Sequence, residues 1–477
     1  MRRRRKVKIL ATLGPSSKSP ERLAALFEAG ADIFRINMSH TSHEEMREMM
    51  ARIRDVEAAF DRPIGVLVDL QGPKLRIGSF EEPVELKVGQ RFRLDSDPAA
   101  GNSERVCLPH PEIFEALQPG HSILLDDGKV RLRVLQHDAQ SAETEVVQGR
   151  KLSSRKDVSL PETLLRSGAL TEKDRKDFDA AIAAEADWVA LSFIQRPSDI
   201  SEAKKIARQR VGIMAKIEKP QAMEEIEQIA ELSDAIMVAR GDLGVEMPIE
   251  LVPGVQKQLT RLGRRLGKPV IVATQMLESM IASPVPTRAE VSDVATAVFE
   301  GADAIMLSAE SAAGDYPIEA VQMMDRIAVA VEQDMHFNGI IHAQRTEPET
   351  TGADTITSSA RQIAETLRLP AIVCYTSSGS TGLRASRERP SVPVIALSPV
   401  RQTARRLSVV WGLHCVVSED AHDVSEMLNR ACEIAVAQGF ASPGDRIIVT
   451  AGVPFGTSGA TNMLRIAFIA QDGRSGI

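Results

Sequence analysis

Eight short apolar runs, separated by longer stretches with helical spacing, are the feature that most limits how this 477-residue chain folds. The runs fall at 7–13, 32–36, 64–69, 187–192, 212–217, 234–238, 269–274 and 303–307. Most are apolar on successive positions rather than alternating, the pattern of strands buried on both faces in a parallel sheet. Segments such as Pro20–Ala29, Glu44–Phe60 and Val291–Phe299 read as the intervening helices. Eight strands alternating with helices is the number that closes a (β/α)8 barrel, so the expected class is α/β.

One connection breaks the rhythm. Between the third and fourth runs the texture becomes β-rich, with two-faced alternation at Val84–Val88 and Lys129–Val134 and a hairpin signal at Asp127-Gly128. Residues 71–169 therefore read as a β-barrel lid inserted in a barrel loop, between barrel parts 1–70 and 170–344. After a helix at Ile318–Val331 and a polar stretch, His336–Thr357, strands restart near 371–376, 392–397, 413–417 and 446–451. The unit 345–477 reads as a separate open α/β domain.

Composition excludes several classes. Aromatics are only 4% of the chain, too few for the stacking platforms of single-stranded nucleic-acid binding. With 58 Lys and Arg against 65 Asp and Glu, the net charge of −7 disfavours a polyanion partner. Four cysteines lie far apart, which argues against a disulfide framework or a zinc site and for a reducing compartment. The basic run Arg2–Lys6 is followed by too short an apolar segment for a signal peptide, and no apolar stretch is long enough to span a membrane. The expectation is a cytoplasmic protein with no nucleic-acid or membrane partner.

Reactive residues of such barrels sit where strands end. The second run ends in Arg35 and then Asn37, Ser39 and His40; the third ends in Asp69. The later ones end in Ser192, in Lys216 with Glu218, in Arg240-Gly241-Asp242, in Thr274-Gln275 and in Ser308 with Glu310. A single polar residue after a strand is usually a cap. A ring of them around one mouth is not. Glu218 and Asp242 follow adjacent strands, and two carboxylates leaving room for water or substrate oxygens suit Mg²⁺, or Mn²⁺ in its place. Lys216 adds a fixed positive charge opposite that ion, and Arg35 a planar fork suited to phosphate. The turn through Gly241 and Gly244 offers backbone N–H groups to an anion.

The strings Ile33–His40, Asp69–Arg76, Met214–Glu218, Met237–Val245, Ala273–Met280 and Met306–Glu310 closely resemble the pyruvate kinase family, as does Gly314-Asp315-Tyr316-Pro317. The resemblance runs from residue 6 to about 470. It implies transfer of the phosphoryl group of phosphoenolpyruvate to ADP, giving pyruvate and ATP, on a barrel with an inserted lid and a C-terminal regulatory domain. Carried over, Glu218 and Asp242 would hold the divalent ion. Lys216 would stabilise the phosphoryl group and the enolate, and Arg35 would grip the phosphate. Thr274, with Ser308 and Glu310 nearby, would support protonation of the enolate. Gly241 and Asp242 would hold the substrate carboxylate. Asn37, His40, Arg76 and Lys173 would face the nucleotide. A homotetramer is implied as well.

Departures from the family pattern carry their own expectations. Asn37, Ser39, Asp69 and the Leu70 carbonyl match the K⁺ site of K⁺-requiring members, yet Lys74 stands where those members carry Glu. A Lys74 ammonium beside Asp69 would replace K⁺, so activity without K⁺ is expected. Where the lid returns, Ser167-Gly168 replaces a common Leu-Pro. In the C-terminal unit, Thr376, Ser377, Ser378, Gly379, Ser380 and Thr381 precede a helix bearing Arg384 and Arg387. They form a candidate phosphate cradle for a sugar-phosphate or nucleotide activator, over which Gly452–Asn462 would close. Two other readings share part of the pattern: a Mg²⁺-dependent lyase or aldolase acting on a pyruvate enolate, and a catalytically silent metabolite sensor.

Overall fold

In the computed structural model, which describes residues 2–165, 168–454 and 461–476, the eight apolar runs form one closed, fully parallel barrel. Its strands, in chain order, are Lys8–Thr12, Ile33–Asn37, Gly65–Asp69, Trp188–Leu191, Gly212–Ile217, Ala235–Ala239, Val270–Ala273 and Ala304–Leu307. Each pairs with its chain neighbours, and the first closes the ring on the eighth through Leu10 opposite Met306.

Strand period two sorts the barrel's side chains. Ile9, Phe34, Val66, Val189, Ile213, Ile236, Val272 and Ile305 face outward into one core with the helices. The alternate positions Leu10, Ile33, Leu67, Ala190, Met214, Met237, Ile271 and Met306 fill the interior. The scarcity of aromatics becomes intelligible here: a narrow barrel interior is packed by Ala, branched aliphatics and pliant Met.

Between the third and fourth strands lies the β-rich body. Its main sheet has six strands, with the hairpin Ser122–Leu125 to Val130–His137 near the middle. Asp126, Asp127 and Gly128 at its tip all have positive φ, as a tight reversal requires. The body has its own apolar core around Phe92, Leu94, Ile123 and Leu132. Both of its connections to the barrel meet at one side chain. Asp174, fully buried, accepts from Gly72 N on the outgoing chain (3.0 Å) and from Thr171 N on the returning chain (3.0 Å). The Leu-Pro departure falls partly on Ser167, outside the described residues.

The C-terminal unit is a six-stranded sheet. Four parallel strands, Leu413–Val417, Val394–Ser398, Ile372–Tyr375 and Arg446–Ala451, are extended by antiparallel Met463–Ile469 and Ser475–Gly476. The polar stretch expected as a connector contains two helices, Phe337–Ala343 and Gly352–Thr366. The second buries Asp354, Thr357, Ala360 and Ala364, a face too small and polar to register as hydrophobic periodicity.

This unit docks on the floor of the barrel, the end where strands begin. Trp411 is buried with the barrel's outer core. Arg389 makes a two-pronged pair with Asp303, each prong 3.0 Å. Lys8 Nζ donates to the Leu413 carbonyl (2.6 Å), and Trp188 Nε1 to the Arg406 carbonyl (3.3 Å).

Candidate active site

The interior parity of each strand continues past its last apolar residue, and this puts the reactive side chains into one mouth. Two residues beyond Leu10, Ile33, Leu67, Ala190 and Met214 stand Thr12, Arg35, Asp69, Ser192 and Lys216. Arg35 lies opposite Thr12 on one side and, through its strand, beside Asp69 on the other.

These residues form a continuous polar chain. Arg35 Nε donates to Asp69 Oδ2 (2.7 Å), and its Nη1 to Thr12 Oγ1 (3.0 Å). Lys216 Nζ lies 2.8 Å from Glu218 Oε1, 2.7 Å from Ser192 Oγ and 3.3 Å from Asp69 Oδ1. Glu218 Oε2 accepts from Phe193 N (2.7 Å). One ammonium is thus shared by two buried carboxylates.

The electrostatics follow from that sharing. For Asp69, burial pushes the carboxyl up, but Lys216 and Arg35 together outweigh it and hold it below its ordinary value. For Lys216, burial favours the neutral amine, yet Asp69 and Glu218 keep the ammonium well above its usual range. Glu218 goes the other way. Burial raises it, Lys216 only partly compensates, and the nearby Asp242 charge raises it further. A carboxylate left short of positive charge beside a second, exposed carboxylate is a setting that a hard divalent cation satisfies, and the all-oxygen donor pair fits Mg²⁺. Glu218 and Asp242 would supply two oxygen ligands, and Mg²⁺ usually keeps much of the rest of its shell as water or substrate oxygens.

Beside this chain the seventh strand ends under strain. Thr274 has φ +70° and Gln275 φ +53°, a left-handed conformation that a β-branched residue rarely adopts. The hydroxyl of Thr274 donates to the Ala273 carbonyl (2.6 Å) and accepts from Gly241 N (2.7 Å). Arg240 holds this turn from behind, donating to the Thr274 carbonyl (2.7 Å) and pairing with Asp293 (2.6 Å). Gly241 and Asp242 lie in the first turn of the helix Arg240–Glu246, with Gly241 against Thr274.

Other expected residues have different surroundings. Glu310 is fully buried, and its two oxygens accept from Ser308 N (2.7 Å) and Leu277 N (3.2 Å). It positions the ends of the last two strands and is not a group open to substrate. Lys74 does not stand beside Asp69, whose cations are Arg35 and Lys216. Lys74 pairs instead with Asp157 of the lid (3.4 Å), which also receives Arg76 (3.2 Å). The chain leaves the barrel through the tight Gly72 turn, which carries Lys74 toward the lid. Lys173 is drawn to Asp177 (2.5 Å) and the Met38 carbonyl (2.9 Å), so its ammonium is engaged beside the Asn37–His40 segment. Asn37 lies opposite Asp69, and its Oδ1 accepts from Ser39 N (3.0 Å); His40 is exposed. Leu70 is buried, and its carbonyl accepts from the Ser192 hydroxyl (2.8 Å).

Sequence reading named Ser192 and Arg240 as strand-end residues without giving them a role, and it passed over Thr12, Asp157 and Asp174. Strand parity would have found Thr12. Asp157 and Asp174 act through contacts between distant segments, which no local spacing signals.

In the C-terminal unit, Gly379 N donates to Thr376 Oγ1 (2.9 Å), and Gly379 has φ +93° at the start of the helix Ser380–Arg387. Ser378 Oγ lies 3.2 Å from Ser380 Oγ, and Thr381 meets Thr461 at 2.7 Å. Ser377 accepts from Thr403 through its carbonyl (2.8 Å). Of the loop expected to close over them, residues 455–460 lie outside those described.

Two family descriptions match this chain: the pyruvate kinase barrel domain over residues 4–321 and the pyruvate kinase alpha/beta domain over 354–467. It is 59% identical over 473 residues to a pyruvate kinase of Methylorubrum extorquens, covering 99% of each chain. It is 46% identical over 473 residues to a pyruvate kinase of Agrobacterium vitis, covering 98% of each. A crystal structure of a pyruvate kinase from Cryptosporidium parvum superposes with a TM-score of 0.92 at 32% identity, over 98% of this chain and 96% of that one.

Proposed function

Because the chain belongs to the pyruvate kinase family and is a phosphotransferase acting on phosphoenolpyruvate and ADP, we propose how its own residues carry that reaction. The observation that carries the proposal is the shared ammonium of Lys216, held between Asp69, Glu218 and Ser192 at the barrel mouth.

In the reaction the bond between phosphorus and the enol oxygen breaks, and one forms to a terminal β-phosphate oxygen of ADP. The departing enolate then takes a proton at its terminal carbon to become pyruvate. Such transfer needs positioning and charge neutralisation more than covalent catalysis. Arg35 grips the phosphate, its guanidinium plane fixed on two edges by Asp69 and Thr12. Lys216 stabilises the phosphoryl group in flight and the enolate oxygen left behind. Gly241 and Asp242 hold the substrate carboxylate at the helix start. The Thr274 hydroxyl, with Ser308 nearby, orients the water that delivers the proton; Glu310 acts through the backbone it holds. His40, Asn37, Arg76 and Lys173 lie toward the nucleotide. The family generally uses Mg²⁺; Glu218 and Asp242 would hold it, and it would neutralise charge developing on substrate oxygens. The lid, hinged at Asp174, excludes water from the transferring group.

Replacing Lys216→Met tests this. We expect kcat to fall by about 10²–10³, with the circular dichroism spectrum and the affinity for ADP retained. An unchanged kcat would remove Lys216 from the mechanism.

Two finer readings belong to the same proposal. The enzyme works without K⁺. Asp69 already carries two side-chain cations, those of Arg35 and Lys216. Equal rates in K⁺ and tetramethylammonium buffers are expected; strong K⁺ activation would overturn this. A small phosphorylated activator acts at Thr376–Thr381 of the C-terminal unit, in a homotetramer, with 1–70 and 170–344 as barrel, 71–169 as lid and 345–477 as regulatory unit. Light scattering and substrate-saturation curves with and without sugar phosphates test the assembly and the activation.

A further inference from the structure

Next to Glu218 and Asp242 lies a buried ion pair that the reaction itself does not use. Lys219 Nζ donates to Glu246 Oε1 (2.8 Å), and both side chains are buried. Each partner shares an element with one of the two carboxylates. Lys219 follows Glu218 directly, and Glu246 lies four residues past Asp242 on the helix Arg240–Glu246. We propose that Lys219 and Glu246 are positioning residues for the divalent ion. Their pair fixes the separation of Glu218 and Asp242, and so sets both the affinity of the site and its preference for a small cation. This inference rests on the reading that Glu218 and Asp242 hold the ion.

The local chain explains how one pair links the two. Glu218 and Lys219 follow the strand Gly212–Ile217, whose neighbour Ala235–Ala239 leads into that helix. Pro220 confines Lys219 to extended backbone (φ −122°, ψ 138°). The two side chains then part: Glu218 turns to Lys216 and Phe193 N, and Lys219 to Glu246. Four residues apart on one helix, Asp242 and Glu246 share a face, so whatever fixes Glu246 also fixes how Asp242 is presented. Among the described residues Lys219 is the one donor to Glu246, whose Oε2 is buried with no hydrogen bond.

Energetics favour a geometric task for this pair over a stabilising one. A buried ion pair adds little net stability over apolar residues of the same shape. A carboxylate in the last turn of a helix also meets the negative end of the helix dipole. What the pair supplies is a fixed distance, and this corner needs one, because the lid rests on both elements. Gln221 Nε2, two residues past Lys219, donates to the Pro161 carbonyl (2.7 Å). At the hairpin tip, a Cβ on Gly128 would lie 3.8 Å from Cγ1 of Val245, the neighbour of Glu246. Lid movement thus loads the Glu218 and Asp242 elements together, and the Lys219–Glu246 brace keeps them from spreading. Mg²⁺ takes oxygen ligands at about 2.0–2.1 Å and tolerates little distortion, whereas Ca²⁺ accepts about 2.3–2.6 Å in flexible shells. A rigid spacing therefore favours the smaller ion.

Binding of Mn²⁺ to the intact enzyme without substrates, followed through the paramagnetic resonance signal of the free ion, tests this. Glu246→Gln and Lys219→Met should each weaken Mn²⁺ binding about tenfold, and Lys219→Arg should recover most of the loss. Ca²⁺ should compete better against Mn²⁺ in the two weakened variants than in the parent enzyme. Breaking one side of a buried pair also threatens folding, so the double variant Lys219→Met with Glu246→Leu, which leaves no unpaired charge, is measured beside them. It should keep the parent melting temperature and still bind Mn²⁺ weakly. Equal Mn²⁺ affinity and equal Ca²⁺ competition in the parent and the double variant overturn the brace. Asp242→Asn separates this inference from the reading beneath it. If that variant binds Mn²⁺ as the parent does, the ion is held elsewhere and both fall. If it loses Mn²⁺ while the brace variants bind normally, the ion site stands and the brace alone fails.

Discussion

Thr274 combines two demands that a single residue seldom meets. Its backbone is held in a left-handed conformation costly to a β-branched residue, and its hydroxyl bridges Ala273 and Gly241. Replacement by glycine separates the two. Thr274→Gly should leave the melting temperature unchanged or raise it, because relief of about 1–3 kcal/mol of strain offsets the extra chain entropy of glycine. The same variant should lose kcat by about 10²-fold, and Thr274→Ser should recover most of it. A Thr274→Gly enzyme with full activity would show that the hydroxyl has no part in proton delivery. At this scale the sequence was legible where strand ends bring ionisable side chains together, as with Arg35, Lys216 and Glu218. It was not legible where a familiar acid does a structural task. Glu310 looks like a reacting group in the sequence, but its oxygens are taken by two backbone N–H groups, and nothing local announces that.

At the scale of elements, the connection after the third strand is the tightest point. Gly72 has φ +71°, and a Cβ there would sit 2.9 Å from both the Ser192 and Phe193 side chains. Phe193 in turn donates its N–H to Glu218. Gly72→Ala should therefore cost about 1–3 kcal/mol of stability and also raise KM for ADP, since it tilts the lid and disturbs the carboxylate beneath it. Calorimetry and steady-state kinetics on the one variant check both halves; a change in stability alone would place the hinge outside the catalytic cycle. Strand positions were readable because apolar runs bounded by turns have few alternatives. The helix Gly352–Thr366 was not, because its buried face of Asp354, Thr357, Ala360 and Ala364 lacks large apolar residues. The antiparallel strand Met463–Ile469 escaped for a related reason: it has no clean apolar alternation, with Arg465 and Ile466 both exposed.

For the whole molecule, the joint between barrel floor and C-terminal unit is rich in buried charge and therefore sensitive to pH. His414 is buried against the Phe440 ring (4.9 Å between centroids), meets Gln438 (3.1 Å) and faces the cations Lys8 and Arg62. Burial, then Arg62, lower its pKa from 6.5 to about 3. The folded state thus binds fewer protons than the unfolded chain between these values, and its stability falls as pH drops through that window. Above pH 6.5 the contribution is fully present. The expected loss is on the order of 1 kcal/mol per pH unit below it. His414→Gln should flatten this acid-side decline in the melting temperature; an identical pH profile would mean other groups govern it. The three-part layout was legible because each part has its own texture. The joint was not, since pairs such as Arg389 with Asp303 and Arg405 with Glu57 connect residues remote in sequence.

The grip of Asp174 on both crossings of the lid bears on how the polypeptide first assembles. Barrel closure requires Ala190 to find Asp69 across the whole inserted body, a search whose entropic cost rises with the length of free chain between them. An insert that has already folded, with its entrance at Gly72 and its exit at Thr171 fastened to one carboxylate, presents the third and fourth strands side by side. The lid then serves as a splint during refolding, and Asp174→Ala should slow barrel formation more than it speeds unfolding, as stopped-flow measurements on both limbs would show.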